Sequence, residues 1–169
     1  MNRKEDLKDC LESYKKQSYK AIEIIVIDNS KVNIGAAMGR NKGVDKTNGD
    51  YLLFSDDDVV ADKDMVLNMV RYLESNDHAG VIQPLISEKG KPNILQGAGH
   101  AINLWTGRIT AWGAGEINTS QYNGVREIPL CGCIWMVRKE VFDKTGGYDN
   151  EYFIPYEDSD FSIRARKAG

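Results

Sequence analysis

Three consecutive carboxylates, Asp56, Asp57 and Asp58, follow directly on the apolar run Leu52, Leu53 and Phe54. Like charges this close repel one another unless water, a cation or a polar ligand compensates them. Hard divalent cations such as Mg2+ take carboxylate oxygens and often bridge them to phosphates. The same residues would serve equally as a solvated acidic loop leading into the next helix, and the pattern alone leaves both readings open. Two more acidic clusters have a similar setting. Asp28, Asn29 and Ser30 close the apolar run 21–27, where a ligand contact competes with a plain turn. Glu157, Asp158 and Asp160 open a helical pattern, and the helix macrodipole by itself favours acids in a first turn. Between these clusters Asn33, Ile34, Gly35, Ala36 and Ala37 enter a helix through small residues. Free N–H groups at such an end suit a phosphate. Arg40 then either reaches an anion or faces water.

Hydrophobic spacing supplies the elements that must hold these groups. Asn2 is the expected N-cap of a first helix, with Glu5 as its capping-box partner. Leu7, Cys10, Leu11 and Tyr14 carry that helix to about Gln17. The β-branched run 21–27 reads as a strand, and a helix follows to about Lys46. Residues 52–54 form the next strand. Asp62 or Asp64 starts a helix with Met65, Val66, Met69, Val70 and Leu73 on its apolar face. Residues 80–86 read as a strand in which Pro84 marks an edge or a bulge. The stretch 91–125 is looser and glycine-rich, with Trp105, Trp112 and short β-like pieces at 93–96 and 108–112. Such a section is either a binding loop or a small hairpin core. Strands at 126–130 and 131–137, a helix at 139–145 closed by Gly146 and Gly147, and the acidic-headed helix complete the chain. Strands alternating with helices predict an α/β fold with a largely parallel sheet, whose ligands sit beyond the carboxyl ends of the strands.

A chain of 169 residues is expected to form one domain. The net charge of -3 gives no basic footprint for nucleic acid. No apolar run approaches the ~20 residues of a membrane span. Cys10, Cys131 and Cys133 form no CxxC pair, which argues against a disulfide framework or a zinc site, and reduced thiols fit the cytoplasm. His78 and His100 lie far apart in sequence, and no Ser/His/Asp or Cys/His arrangement is visible.

Taken in order, 23–29 (EIIVIDN), 33–43 (NIGAAMGRNKG), 49–60 (GDYLLFSDDDVV), 146–149 (GGYD) and 157–166 (EDSDFSIRAR) resemble the family 2 glycosyltransferases over nearly the whole chain. The half from 96 to 166 is most similar to the rhamnosyltransferase-like branch. The resemblance implies a three-layer αβα fold with a mostly parallel, Rossmann-like sheet of the nucleotide-diphospho-sugar transferase (GT-A) type. It implies inverting transfer of a sugar from a UDP- or dTDP-linked donor to a glycan or lipid-linked acceptor, in cell-surface polysaccharide synthesis. Asp28 would contact the base, and Asn33, Gly35 and Arg40 would line the nucleotide side. The DxD motif falls on Asp56 and Asp58, which would hold the ribose and a Mg2+ or Mn2+ ion, with Asp57 an alternative metal ligand. Gly132, the neighbourhood of Trp135, and Glu157 would border the acceptor, and Asp158 would be the general base. The implied location is cytoplasmic, peripheral at the inner face of the membrane. The family pattern also places a strand and turn before the first helix. The chain is therefore expected to be a single but partial domain over 1–169, short at its C-terminus too, with a free sheet edge through which two copies would pair.

Two other readings compete. An apolar strand followed by DxDxV, met by residues 54–60, fits a haloacid-dehalogenase-type phosphatase with Asp56 as nucleophile and Asp58 as acid/base. That motif normally lies near a chain start, and convincing Ser/Thr or Lys partners are missing. A non-catalytic, nucleotide-binding remnant of the glycosyltransferase fold is the other. A calcium loop counted from Asp56 fails, because it needs Gly at Ala61 and Glu at Leu67.

Overall fold

The computed structural model describes residues 3–168; the expected N-cap, Asn2, lies outside them. Its centre is built by alternation. Along β1 (Tyr51–Ser55) Leu52 and Phe54 face one side, and Tyr51 and Leu53 face the other. Along β7 (Ile134–Arg138) Trp135 and Val137 join the first side, and Ile134 and Met136 the second. Successive strand side chains point to opposite faces, so one short sheet serves two cores. The first core is closed by α2 (Ala36–Val44), α4 (Lys139–Thr145) and α5 (Glu157–Lys167) through Ala37, Phe142, Phe161 and Ala165. The second is closed by α1 (Arg3–Lys15) and α3 (Met65–Ser75) through Cys10, Tyr14 and the apolar face expected for α3. Helices thus cover both faces, in three layers. Burying a large apolar side chain is worth roughly 1.5–3 kcal/mol, so this two-sided burial holds the sheet.

The sheet corrects the expectation of mostly parallel pairing. Its order is β1-β7-β2, with β2 spanning Val81–Ile82. Both ladders to β7 are antiparallel, with Leu52 opposite Val137 and Val81 opposite the same residue. The outer strands therefore run parallel to each other without sharing a hydrogen bond. The crossover β1-α3-β2 leaves a slot one strand wide, and β7 fills it from the opposite direction. The second correction concerns residues 21–27, which form no ladder among the described residues. Ile24 and Val26 are 42% and 50% exposed. A β-branched run needs a partner strand to pack and bond against, and none flanks it here.

The expected strand 80–86 breaks at Gln83–Pro84–Leu85 into β2 and β3 (Ile86–Glu88). β3 pairs with β4 (Lys91–Gly97), and β5 (His100–Ile102) with β6 (Ile109–Ala111), as two antiparallel hairpins. Residues 126–130, expected as a strand, are irregular apart from one bridge, in which His100 and Leu130 exchange N–H···O bonds of 3.1 and 3.0 Å. Trp105, near the turn between β5 and β6, is 98% exposed and plugs nothing. The expected stop after α4 is present, with Gly146 left-handed at φ 77°. Gln17 ties two helices together: its amide donates to the Asp62 carbonyl and accepts from the Val66 N–H at the start of α3. No helix among the described residues is long and apolar enough to cross a membrane.

Candidate active site

Arg40, on the second turn of α2, is where the site converges. Its Nη1 donates to Asp158 Oδ1 at 2.6 Å and to Glu157 Oε1 at 3.1 Å, and its Nη2 donates to Asp56 Oδ1 at 3.3 Å. The guanidinium also lies over the Tyr148 ring, 5.3 Å from its centre. The anion that Arg40 reaches is thus provided by the protein itself. Three carboxylates share one cation, so a cluster with all three ionised carries excess negative charge in a poorly hydrated place.

The protonation states follow from that arrangement. Burial lifts the Asp158 carboxyl to about 6, even though Arg40 works the other way, while Glu157 adds to the rise. Partial burial also raises Asp56, again against Arg40, with Asp58 pushing in the same direction as burial. Tyr148 O–H donates to Asp158 Oδ1 at 3.1 Å, and burial keeps that phenol protonated. Both donors act on the same carboxylate oxygen. Asp158 Oδ2 makes no hydrogen bond among the described residues. Asp158 therefore presents one oriented, unoccupied oxygen and a pKa close to neutrality, which are the properties a general base needs.

The aromatic cluster explains why the site is dry. Phe54, Trp135, Phe142, Tyr148 and Phe161 pack with ring centres 5.0 to 6.2 Å apart. Trp135 is 1% exposed and backs the site as part of the core, with its indole N–H buried and without a hydrogen-bond partner among the described residues. Gly132 does lie at the site: a Cβ there would stand 4.0 Å from Asp158 Oδ2. Glu157 is buried and paired with Arg40.

The remaining expected residues are more scattered. Asp57 turns outward to Arg3 at 3.4 Å. Asp58 makes no hydrogen bond or ion pair among the described residues. Asp28 is exposed, and hydrogen bonds from Ser30 hold its carboxyl below its ordinary value. Asn33 is exposed too, its Oδ1 accepting the Gly35 N–H at 3.0 Å. Gly35 has a reason other than ligand approach. It sits at φ 81°, and a Cβ there would lie 2.8 Å from the Phe153 carbonyl oxygen. That oxygen accepts the Ala36 N–H at 3.0 Å, so backbone, and not open space, meets the start of α2. Among the described residues no group of three or more His, Cys, Asp or Glu is placed to hold a metal ion.

Sequence reasoning gave Tyr148 no role and missed the carboxylates as the partners of Arg40. Tyr148 follows the Gly146-Gly147 stop directly, where the chain must turn back toward the sheet, and that position was the available signal.

The family described as glycosyl transferase family 2 has a model that matches residues 29–146. Two curated relatives from Mycobacterium tuberculosis, strains CDC 1551 / Oshkosh and ATCC 25618 / H37Rv, are each 32% identical over 108 residues. Each is an N-acetylglucosaminyl-diphospho-decaprenol L-rhamnosyltransferase, and the match covers 54% of this chain and 33% of the relative. The chain thus spans about a third of the length of the curated relatives it matches.

Proposed function

Because this chain belongs to glycosyl transferase family 2, we propose that it transfers a sugar from a nucleoside-diphosphate donor to an acceptor hydroxyl, with inversion, using Asp158 as the base. The observation that carries this reading is the state of Asp158: one oxygen tied by Arg40 and Tyr148, the other open, and a carboxyl lifted to about 6. The acceptor hydroxyl gives its proton to Oδ2. Its oxygen bonds to the anomeric carbon as the bond from that carbon to the diphosphate oxygen breaks, and that electron pair leaves with the nucleoside diphosphate. Arg40 and Tyr148 hold the carboxylate in one orientation throughout. The aromatic cluster behind them keeps water out, which strengthens each of these interactions.

The acidic loop after β1 has the donor chemistry for Mg2+ or Mn2+. Mg2+ is usually held by one or two carboxylates together with substrate phosphates, so a complete protein cage is not required. Asp58, which makes no hydrogen bond or ion pair among the described residues, would be the foremost ligand, and Asp56 would add a second oxygen next to Arg40. When bound, such an ion neutralises charge on the leaving diphosphate. Asp28, Asn33 and Gly35 lie on the nucleotide side in this reading. The relatives' acceptor, a lipid-linked N-acetylglucosaminyl diphosphate, is the acceptor to try first, at the inner face of the membrane. A match to this family over residues 29–146 sets the phosphatase reading aside.

The test is calorimetric titration of UDP and dTDP into the purified chain with Mn2+, repeated with EDTA. Metal-dependent binding that is lost in an Asp56→Ala/Asp58→Ala variant is the expected result and ranks the two bases. Binding of neither nucleotide sinks the donor-site assignment and leaves a non-catalytic member of the family.

A further inference from the structure

We propose that an apolar patch beside the starts of α2 and α5 docks this chain on an anionic lipid surface, with Leu104 and Trp105 entering the headgroup layer. The choice of a lipid surface as occupant rests on the glycosyl-transfer reading above, in which the acceptor is lipid-linked.

Three segments far apart in sequence meet in this patch. The turn between β5 and β6 carries Leu104 and Trp105, 78% and 98% exposed. Gly107, in the same turn, faces the loop before α5, since a Cβ on it would stand 3.8 Å from Tyr156 Oη. That loop also meets the start of α2, where a Cβ on Gly35 would lie 2.9 Å from Phe153 Cδ2. Val32 shortly precedes this contact. Val32, Leu104, Trp105, Phe153, Ile154 and Tyr156 are all left exposed. Apolar surface gathered in this way marks a contact with a protein or a membrane.

Shape and charge choose the membrane. Trp105 stands almost wholly clear of its own chain, so a protein partner would have to supply a pocket for it, whereas a headgroup layer needs none. The rings of Trp and Tyr, apolar in body and polar at one edge, favour that layer. The chain as a whole carries a net charge of -3, which anionic lipid repels. Segments 30–35, 100–111 and 152–156, however, contain Lys31 and Arg108 and no Asp or Glu. Both cations are exposed and make no ion pair among the described residues. The nearest acids along the chain are Asp28, Glu151 and Glu157. Asp28 accepts the Ser30 N–H, and Glu157 is buried against Arg40. Apolar burial and cations on one face act together at an anionic interface.

The patch also lies where docking would serve the site. Tyr156 directly precedes Glu157 and Asp158. The Phe153 carbonyl accepts the Ala36 N–H at the start of α2, the helix that carries Arg40. A chain held by this face brings the dry carboxylate cluster to the surface in which a lipid-linked acceptor is anchored.

The test mixes the purified chain with phosphatidylcholine vesicles, with and without phosphatidylglycerol, and follows flotation and tryptophan emission. Of the three tryptophans, Trp135 is buried and Trp112 half-buried, so Trp105 carries the lipid-dependent signal. Its emission is expected to shift to the blue and to be quenched by brominated lipid. Leu104→Ser/Trp105→Ser is expected to weaken vesicle binding by about tenfold or more. Lys31→Gln and Arg108→Gln are each expected to weaken it about fivefold when phosphatidylglycerol is present, a loss that disappears at about 1 M salt. Val125→Ser, at an exposed apolar residue outside the three segments, leaves it unchanged. UDP with Mn2+ binds Leu104→Ser/Trp105→Ser as tightly as wild type. A chain that binds UDP but not vesicles, or whose vesicle binding survives Leu104→Ser/Trp105→Ser, overturns the docking surface and leaves the donor reading standing. Two copies that sediment together through Trp105, with no vesicle binding, assign the patch to a protein contact and overturn it too. Vesicle binding through the patch without UDP binding upholds the docking surface and overturns the donor reading alone.

Discussion

Glu157 and Asp158 begin α5 with side chains 9% and 18% exposed, whereas Asp56 and Asp57, after β1, are 46% and 43% exposed. The side-chain chemistry is the same and the surroundings are opposite. At the start of α5, water is replaced by Arg40, Tyr148 and an aromatic wall, and burial drives the Asp158 carboxyl toward neutrality. After β1 Asp57 keeps its water, Asp56 keeps part of it although burial still raises its carboxyl, and Asp58 makes no hydrogen bond or ion pair among the described residues. The dry cluster is suited to moving a proton. The wet one, in the proposed reading, would receive a cation that arrives with a diphosphate. Arg40, 15% exposed, touches both through Asp158 and Asp56.

The sharpest way to break this contrast is Asp158→Asn. Amide and carboxylate have nearly the same shape, so Arg40 and the fold are retained while the proposed base is lost. Transfer is expected to fall by ~10²–10⁴, with UDP affinity in Mn2+ changed less than about twofold. Near-normal turnover would show that the proton leaves by another route and that the dry cluster is structural.

Arg40→Met asks what holds the dry cluster together. Methionine fills the space but leaves Glu157, Asp158 and Asp56 without their cation. Removing one partner of a buried pair costs about 3–5 kcal/mol, measured as a loss of stability in urea at pH 7. A loss below about 1 kcal/mol would mean that the cluster is far better hydrated than its exposure indicates.

The pH dependence separates the clusters without mutation. The Asp158 pKa in the folded chain lies above its unfolded value, so protonation favours folding. That contribution is fully present below the unfolded pKa near 4 and is lost as pH rises through about 6. Ionisation therefore costs stability, by roughly 3 kcal/mol at pH 7. In Asp158→Asn that cost is absent, and the melting temperature at pH 7 is expected to exceed wild type by about 8 °C, with the difference vanishing near pH 4. In the wild type, kcat/KM is expected to fall about tenfold per pH unit below 6. A flat profile down to pH 5 would deny Asp158 its raised pKa.

The same contrast explains what the sequence disclosed. Acids at the start of α5 and after β1 were readable because like charges beside an apolar run demand an explanation. The helices α2, α3 and α4 were readable from periodicity and from the Gly146-Gly147 stop. The direction of β7 was not, since an apolar strand carries no record of which neighbour it joins or which way it runs. The strand expected at 21–27 failed for the related reason that pairing, and not β-branched composition, makes a ladder. Which carboxylates would be dry depended on Trp135, Tyr148 and Phe161 converging from separate elements. The partners of Arg40 were hidden likewise, because Glu157 and Asp158 lie 117 and 118 residues from it.

The smallest effects test the wet side. Arg3 and Asp57 pair at 3.4 Å with side chains 83% and 43% exposed. Exposed pairs contribute about 0.2–1 kcal/mol and are screened by salt, so Arg3→Ala is expected to move the melting temperature by less than about 2 °C at 0.15 M salt and by nothing measurable at 1 M. Asp57 is turned toward that pair and away from Arg40, so Asp57→Asn is expected to leave Mn2+-dependent UDP binding within about twofold. Asp58→Asn, which alters the carboxylate that makes no hydrogen bond or ion pair among the described residues, is expected to weaken the same binding by about tenfold, or roughly 1.4 kcal/mol. The reverse order in calorimetry would assign the cation to Asp57. Binding would then have to break the contact with Arg3, and Arg3→Ala would tighten UDP in Mn2+ but not in EDTA. That single sign distinguishes a loop whose metal carboxylate waits free from one in which a surface arginine must first be displaced.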